Sequence, residues 1–307
     1  MTDTALSSYV LNPARSLTDI LFHLKWFLRL GSSHAVTPDD DPDNGYHPEE
    51  VQALKDYYHR GQTSAQEAAY AITRPVVTSA SVDVGFERRM LMNLLIDALE
   101  KWPQSESWPL FALLKEIEKL PEPVIREEAR HSVTMSEPFW RALPGFMNEW
   151  ADIFQWGEWR YGIENRPEDL DLRRRMREKY MHIASLEARL VDERVGSIEL
   201  DWGYECLTDV FECKNAVPDI QFPMAAEWVK RLAGQIYEGA LRQVEGWPFE
   251  RDCLDLRKGG NAMTVERWQD WKDQLGKYVR DGLPESDSVA MGIKAMDAAE
   301  MEELKDV

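Results

Sequence analysis

Along most of this chain apolar residues recur at intervals of three and four, the spacing that gathers them on one side of an α-helix, while the alternation of a half-buried strand hardly occurs. Leu17, Ile20, Leu21, Leu24, Phe27 and Leu28 form the first such stripe, opened by Ser16-Leu-Thr-Asp19 and stopped at Gly31. The stretch from Thr37 to Gly45 holds too many breakers for regular structure and predicts an acidic loop before a helix starting near Pro48. A short helix is expected from Thr63 to Thr73, with Thr63 and Gln66 as its capping box. Two longer helices follow, Asp83 to Trp102 and Ser107 to Leu120. Met90, Leu91, Leu94, Leu95 and Leu99 share a face of the first; Leu110, Leu113, Leu114 and Ile117 share a face of the second. Leu120-Pro-Glu-Pro123 ends it.

The middle of the chain is dense in aromatics: Phe139, Trp140, Phe146, Trp150, Phe154, Trp156, Trp159 and Tyr161. Phe146, Trp150 and Phe154 are four apart and share a helix face, which reads either as packed core or as the aromatic wall of a ligand cavity. A helix rich in Arg and Glu runs from about Glu168 to Arg194, breaks at Val195-Gly196-Ser197, and is followed by a second amphipathic segment from Asp201 to Glu212. Pro218 to Val244 forms another helix, broken by Gly246-Trp-Pro248. Thr264 caps the last long helix, and the tail from Ser288, with its stripe of Met291, Met296, Met301 and Leu304, is either a docked terminal helix or a frayed one. The pattern predicts an all-α protein, a single compact domain of about ten helices stacked as antiparallel hairpins. Residues 1–47 would be an N-terminal helix and acidic loop packed on a main helical domain of residues 48–282, with residues 283–307 as an acidic tail or terminal helix.

Charge narrows the partners. Against 36 Lys and Arg stand 55 Asp and Glu, a net charge of −19 over 307 residues, which repels nucleic acid and anionic membrane. Neither a membrane-length apolar run nor a signal peptide is seen, so a cytoplasmic protein is expected. Cys206, Cys213 and Cys253 are too few and too scattered for a disulfide framework or a zinc site; Cys206 and Cys213, seven apart, read as reduced apolar filler, and no metal is expected. Asp39-Asp40-Asp41-Pro42-Asp43 has the DDxxD form of a magnesium-diphosphate motif, but Pro38 and Pro42 deny it a helix, leaving a solvated loop. Lys258-Gly-Gly-Asn261 is too short for a phosphate cradle, and neither a dinucleotide fingerprint nor a nucleophile elbow is present. No cofactor is expected.

The candidate chemistry lies in the pair of segments around Gly196-Ser197. Tyr180, His182, Glu187 and Arg189 occupy the first; Trp202, Glu205, Asp209 and Glu212 occupy the second. Titratable groups on the inward side of a helix are costly to bury alone, so they form either a structural polar network or the lining of a site. Glu187 and Arg189, two apart, face different ways, whereas Glu205, Asp209 and Glu212 are expected to share a face and to raise one another's pKa if enclosed.

Leu-Ile-Asp97-Ala, Leu-Pro-Glu-Pro123, Phe139-Trp140-Arg-Ala-Leu-Pro144, Ala-Arg189-Leu190, Leu207-Thr-Asp209-Val-Phe-Glu212, Ala225-Ala226-Glu227-Trp228 and Glu266-Arg267-Trp268-Gln-Asp-Trp271-Lys272 occur in an order that resembles a fungal family of uncharacterised proteins represented by the oxopyrrolidine biosynthesis cluster protein. The resemblance covers roughly residues 50 to 281. It implies an all-helical intracellular protein, with some members in gene clusters for specialised metabolites, and a likeness to the sordarin norbornene-forming Diels-Alderase. Tyr180, His182, Ala184, Glu205 and Thr208 depart from the family pattern, which usually has Trp, Asn, Asn, Trp and Arg there.

Three functions follow as expectations. The first is a cofactor-independent enzyme of specialised metabolism that folds an apolar terpenoid or polyketide in an aromatic pocket and promotes its cyclisation, such as an intramolecular Diels-Alder reaction. Tyr180, His182, Arg189 and Asp209 would be its catalytic groups, and Trp156, Trp159, Tyr161, Glu187, Trp202 and Glu205 would contact the substrate. The others are a helical interaction module and a metabolite-binding protein without turnover. Composition leaves the oligomeric state open.

Overall fold

A computed structural model describes residues 46–60, 63–78, 83–102, 107–124, 138–154, 158–256 and 260–303. The Ser16 helix, the Asp39–Asp43 run, Trp156, Lys258, Gly259 and Leu304 lie outside them. The described residues form eleven α-helices and no strand, the all-α architecture expected from the periodicity. Their contacts fall into two compact units, Met1–Ala151 and Asp152–Val307, a division inside the stretch that the sequence reads as the main domain. No helix among the described residues is long and apolar enough to cross a membrane.

The first unit contains α1 (Pro48–Arg60), α2 (Ala65–Thr78), α3 (Val84–Lys101) and α4 (Trp108–Glu118), with α5 (Phe146–Phe154) crossing the division. Asp83 caps α3 by accepting from the Phe86 amide at 2.8 Å. The capping box of α2 is one residue later than expected. Ser64, not Thr63, accepts from the Glu67 amide at 3.2 Å, and Glu67 answers by accepting from the Ser64 amide at 2.8 Å. The helix also runs past Thr73 to Thr78 through Pro75, because Ile72, Pro75 and Val76 are all buried and burial outweighs the lost amide donor. α2 packs on α1, α3 and α4, with Leu54, Ile72, Leu91, Leu95, Phe111 and Leu114 in the core. Phe146 and Trp150 of α5 are fully buried and stack at 5.9 Å, the packing reading of that aromatic face.

Glu50 is buried in this unit, and its Oε2 has no hydrogen-bond partner. Burial, with Glu87 adding, pushes its carboxyl up to about 8.

The second unit is built around α9 (Pro218–Arg242), which touches α7 (Leu170–Glu193), α8 (Leu200–Phe211), α10 (Val265–Arg280) and α11 (Ser286–Glu303). α6 (Glu158–Glu164) leans on α7, and a 3-10 turn, Trp247–Phe249, on α8. α9 is apolar on several sides, with Ile220, Ala225, Trp228, Val229, Leu232 and Ile236 buried, as a central helix must be. Close approach to it needs glycine: a Cβ on Gly203 of α8 would lie 2.7 Å from the Trp228 ring, and one on Gly292 of α11 would lie 2.9 Å from Val229. The tail is therefore a docked helix, but of the expected stripe only Met296 faces inward among the described residues. Val289, Gly292, Met296 and Ala299 face inward, while Met291 and Met301 are exposed.

Ion pairs join these helices. Arg173 of α7 holds Asp219 of α9 through both carboxylate oxygens. Glu300 of α11 accepts from Trp268 at 2.7 Å and from Lys272 at 2.8 Å. The most buried pair is Glu212 with Arg267. The Arg267 Nε donates to Glu212 Oε1 at 2.6 Å and its Nη2 to Oε2 at 3.1 Å, while Trp271 Nε1 donates to Oε1 at 3.0 Å. Glu212 thus leaves the face it was expected to share with Glu205 and Asp209. α8 ends at Phe211, and Glu212, with φ −121°, turns off the helical path.

Glu50 has a folded pKa above its unfolded value, so its contribution is fully present below pH ~4.5 and is lost as pH rises through about 8. Glu50→Gln should therefore raise the melting temperature at pH 9, by the equivalent of about 2–4 kcal/mol, and leave it nearly unchanged at pH 4.5 in thermal melts. Gly203→Ala should destabilise by about 1–3 kcal/mol in urea unfolding, since Trp228 is fully buried and has nowhere to retreat.

Candidate functional site

The break at Gly196-Ser197 lets α7 and α8 present one face each to a common space. On α7 that face carries Tyr180, Ile183 and Glu187; on α8 it carries Trp202, Glu205, Cys206 and Asp209, each set spaced by threes and fours. Gln221 and Met224 from the first turns of α9, Trp159 and Arg160 from α6, and Phe154 from the end of α5 complete a cavity of about 290 Å³. It lies wholly within the second unit.

One side of the cavity is aromatic. Trp159 and Tyr180 pack at 5.1 Å with their rings tilted by 40°, the Arg160 guanidinium lies 5.6 Å from the Trp159 ring centre, and Phe154 is buried beneath the Lys179 ammonium at 5.7 Å. The other side is charged. Asp209 is bridged by Arg160 at 3.3 Å and by Arg251 at 2.8 Å. Arg251, from the turn after Phe249, also donates to Glu205 Oε1 at 3.2 Å, to the Glu205 carbonyl at 3.2 Å and to Thr208 Oγ1 at 2.7 Å. Thr208 is fully buried and its hydroxyl donates back to the Tyr204 carbonyl at 2.9 Å, so a single guanidinium fixes the outer half of α8.

Burial pushes the Glu205 carboxyl above its ordinary range; Arg251 pulls it down and Asp209 pushes it up again. Glu187, also in the wall, is almost completely buried. Burial drives the Cys206 thiol well above the usual thiol range, so it is a protonated apolar contact and not a nucleophile. The site can supply an aromatic surface, hydroxyl and indole groups, and carboxyls held by Arg251.

Of the residues the sequence singled out, the structure brings Tyr180, Glu187, Trp202, Glu205, Asp209 and Trp159 to this cavity. It does not bring His182 or Arg189. On a helix of 3.6 residues per turn they point about 160–180° away from Tyr180, and Arg189 pairs instead with Glu193 at 2.6 Å. Trp156 lies outside the described residues, and of Tyr161 only the backbone in α6 is described. Sequence reading missed Ile183 and Cys206, which the same three-four spacing from Tyr180 and Trp202 reaches. Arg160 and Arg251 carry no periodic signal, and only the demand of Glu205 and Asp209 for counter-charge points to them.

Because Arg251 serves Glu205, Thr208, Asp209 and the Pro248 carbonyl together, Arg251→Lys should not rescue it. Both Arg251→Lys and Arg251→Ala should lower stability by about 1–3 kcal/mol in urea unfolding, with the lysine variant recovering less than half of the loss.

No curated protein and no solved structure matches the chain. A family profile described as a protein of unknown function (DUF3632) matches residues 92–275, more than half of the sequence and all of α7 to α9. The chain belongs to that family of proteins of unknown function.

Proposed function

We propose that the second unit houses the active site of a cofactor-independent enzyme of small-molecule metabolism, one that folds a partly apolar substrate against an aromatic wall and promotes its cyclisation. The observation that carries this reading is one cavity lined both by aromatic rings, Phe154, Trp159, Tyr180 and Trp202, and by carboxyls, Glu187, Glu205 and Asp209. Such a surface suits a substrate with a hydrocarbon portion and a carbonyl. Its volume, about 290 Å³, is at the lower end of small-molecule sites and favours a substrate of modest size or the reacting part of a larger one. The resemblance of the sequence to a fungal family with some members in gene clusters for specialised metabolites supports a small-molecule reading.

A cycloaddition or related closure needs a held conformer and donors placed where negative charge develops. Orientation contributes up to about 7–11 kcal/mol when two separate reactants are joined and less for a single chain, so polarisation at roughly 3 kcal/mol per donor matters comparably. Tyr180 O–H and Trp202 Nε1–H are donor groups of the lining, and the Glu205 carboxyl becomes one when protonated, with Asp209 fixed by Arg160 and Arg251.

Tested on a reactive diene–carbonyl precursor, the recombinant chain should exceed the spontaneous rate and change the stereochemical ratio. Tyr180→Phe and Glu205→Leu, which remove the donors, should each cost about 10- to 100-fold in rate, more than His182→Ala or Arg189→Ala. The Glu205 donor is present below its raised pKa, so the rate should fall as pH rises through it, and Glu205→Gln should remove that limb. Spontaneous rate and selectivity in the presence of folded wild-type chain would overturn the reading.

A further inference from the structure

Forty residues apart in sequence, Cys213 and Cys253 meet beside Asp209. Cys213 follows the end of α8 and is buried; Cys253 stands exposed in the turn after the Trp247–Phe249 helix. The two sulfurs and an Asp209 oxygen all lie within 4.8 Å of one another, and the Cys213 Sγ donates to Asp209 Oδ1 at 3.8 Å. Scattered in sequence, Cys213 and Cys253 nevertheless meet, because the turn that follows α8 and the segment after Phe249 converge. Cys206, seven residues before Cys213, faces the cavity instead.

We propose that Asp209, Cys213 and Cys253 form a binding site for a thiophilic divalent cation of the zinc class, at the edge of the cavity that Asp209 also lines. Two thiolates and a carboxylate oxygen are the donors such a cation selects. With metal–sulfur bonds of about 2.3 Å and metal–oxygen bonds of about 2.0–2.2 Å, tetrahedral coordination sets the donors roughly 3.5–3.8 Å apart, so the present spread closes by about 1 Å or less. The exposure of Cys253 supplies the entry path. Three protein ligands leave a fourth position for water.

Binding is a proton exchange without redox change: each thiol gives its proton to solvent and each sulfur gives an electron pair to the cation. Arg251 at 2.8 Å and Arg160 at 3.3 Å oppose the cation but also fix the Asp209 carboxylate. Two thiolates and Asp209 carry three negative charges against these two positive ones, so the donor cluster remains net negative. Occupancy would draw Asp209 from Arg251 and so reach the cavity wall. The proposal is independent of the cyclisation reading, since its readout is metal binding and not turnover.

The test is titration of the reduced, chelator-treated full-length chain with Co²⁺ and then Zn²⁺, followed by absorbance and by metal analysis after gel filtration. One equivalent of Co²⁺ should bind with a thiolate-to-cobalt charge-transfer band that Zn²⁺ bleaches. Cys253→Ser, at an exposed position, should roughly halve the band per bound cobalt and weaken binding at least tenfold while leaving the far-ultraviolet dichroism unchanged. Asp209→Asn should keep the band and weaken binding about tenfold. Absence of stoichiometric binding in wild type, equal binding in Cys253→Ser, or a Cys213–Cys253 disulfide that persists under reducing conditions would overturn the proposal.

Discussion

The second unit depends on one buried ion pair. Arg267 and Glu212 are almost entirely enclosed, and the guanidinium donates not only to the carboxylate but to the carbonyls of Gly260 and Ala262, while its face rests on Phe249 at 4.8 Å. Ions this deep are tolerated only when their remaining hydrogen-bonding capacity is met, and here Trp271 and the two carbonyls meet it. The backbone joins in: the Glu212 carbonyl accepts from the Leu256 amide at 2.9 Å. One pair thereby ties the end of α8, the stretches 245–256 and 260–263, and the start of α10.

The cavity inherits its geometry from that tie. The stretch 245–256 carries Arg251 and Cys253, and both reach back to Asp209 only because it is anchored at Phe249 and Leu256. Loops that position charged groups need rigid supports, and buried hydrogen bonds to backbone carbonyls supply one. Polar residues in this unit therefore divide into two kinds. Glu212, Arg267, Trp268, Lys272 and Glu300 hold helices together; Tyr180, Glu187, Glu205 and Asp209 face a space large enough for a ligand.

Much of the fold was legible because helical periodicity and end signals act locally. Asp83 and Thr264 cap where expected, and Pro218 opens α9. The errors arose where tertiary contact outweighed local preference, as at Pro75 of α2 and in the stripe by which α11 docks. For the site, helix geometry grouped Glu205 with Asp209, but it also added Glu212 and could not tell which of several polar faces turns inward, so it named His182 and Arg189 beside Tyr180 although they do not line the cavity. Arg160, Arg251 and the meeting of Cys213 with Cys253 are products of chain crossing at long range, invisible to any spacing rule. The Glu227-Trp228 and Glu266-Arg267-Trp268 motifs, which carried much of the family resemblance, prove to be packing and network residues, and so they speak of a shared fold more than of a shared reaction.

A double-mutant cycle on the buried pair tests the central claim most directly. Urea unfolding of wild type, Glu212→Gln, Arg267→Met and the double variant gives the coupling between the two positions. Each single change should cost about 3–5 kcal/mol, because it strands a buried charge, and the double variant should cost well under the sum. Additive losses, or single changes worth less than about 1 kcal/mol, would contradict the pair's role as the anchor of the site-bearing segment.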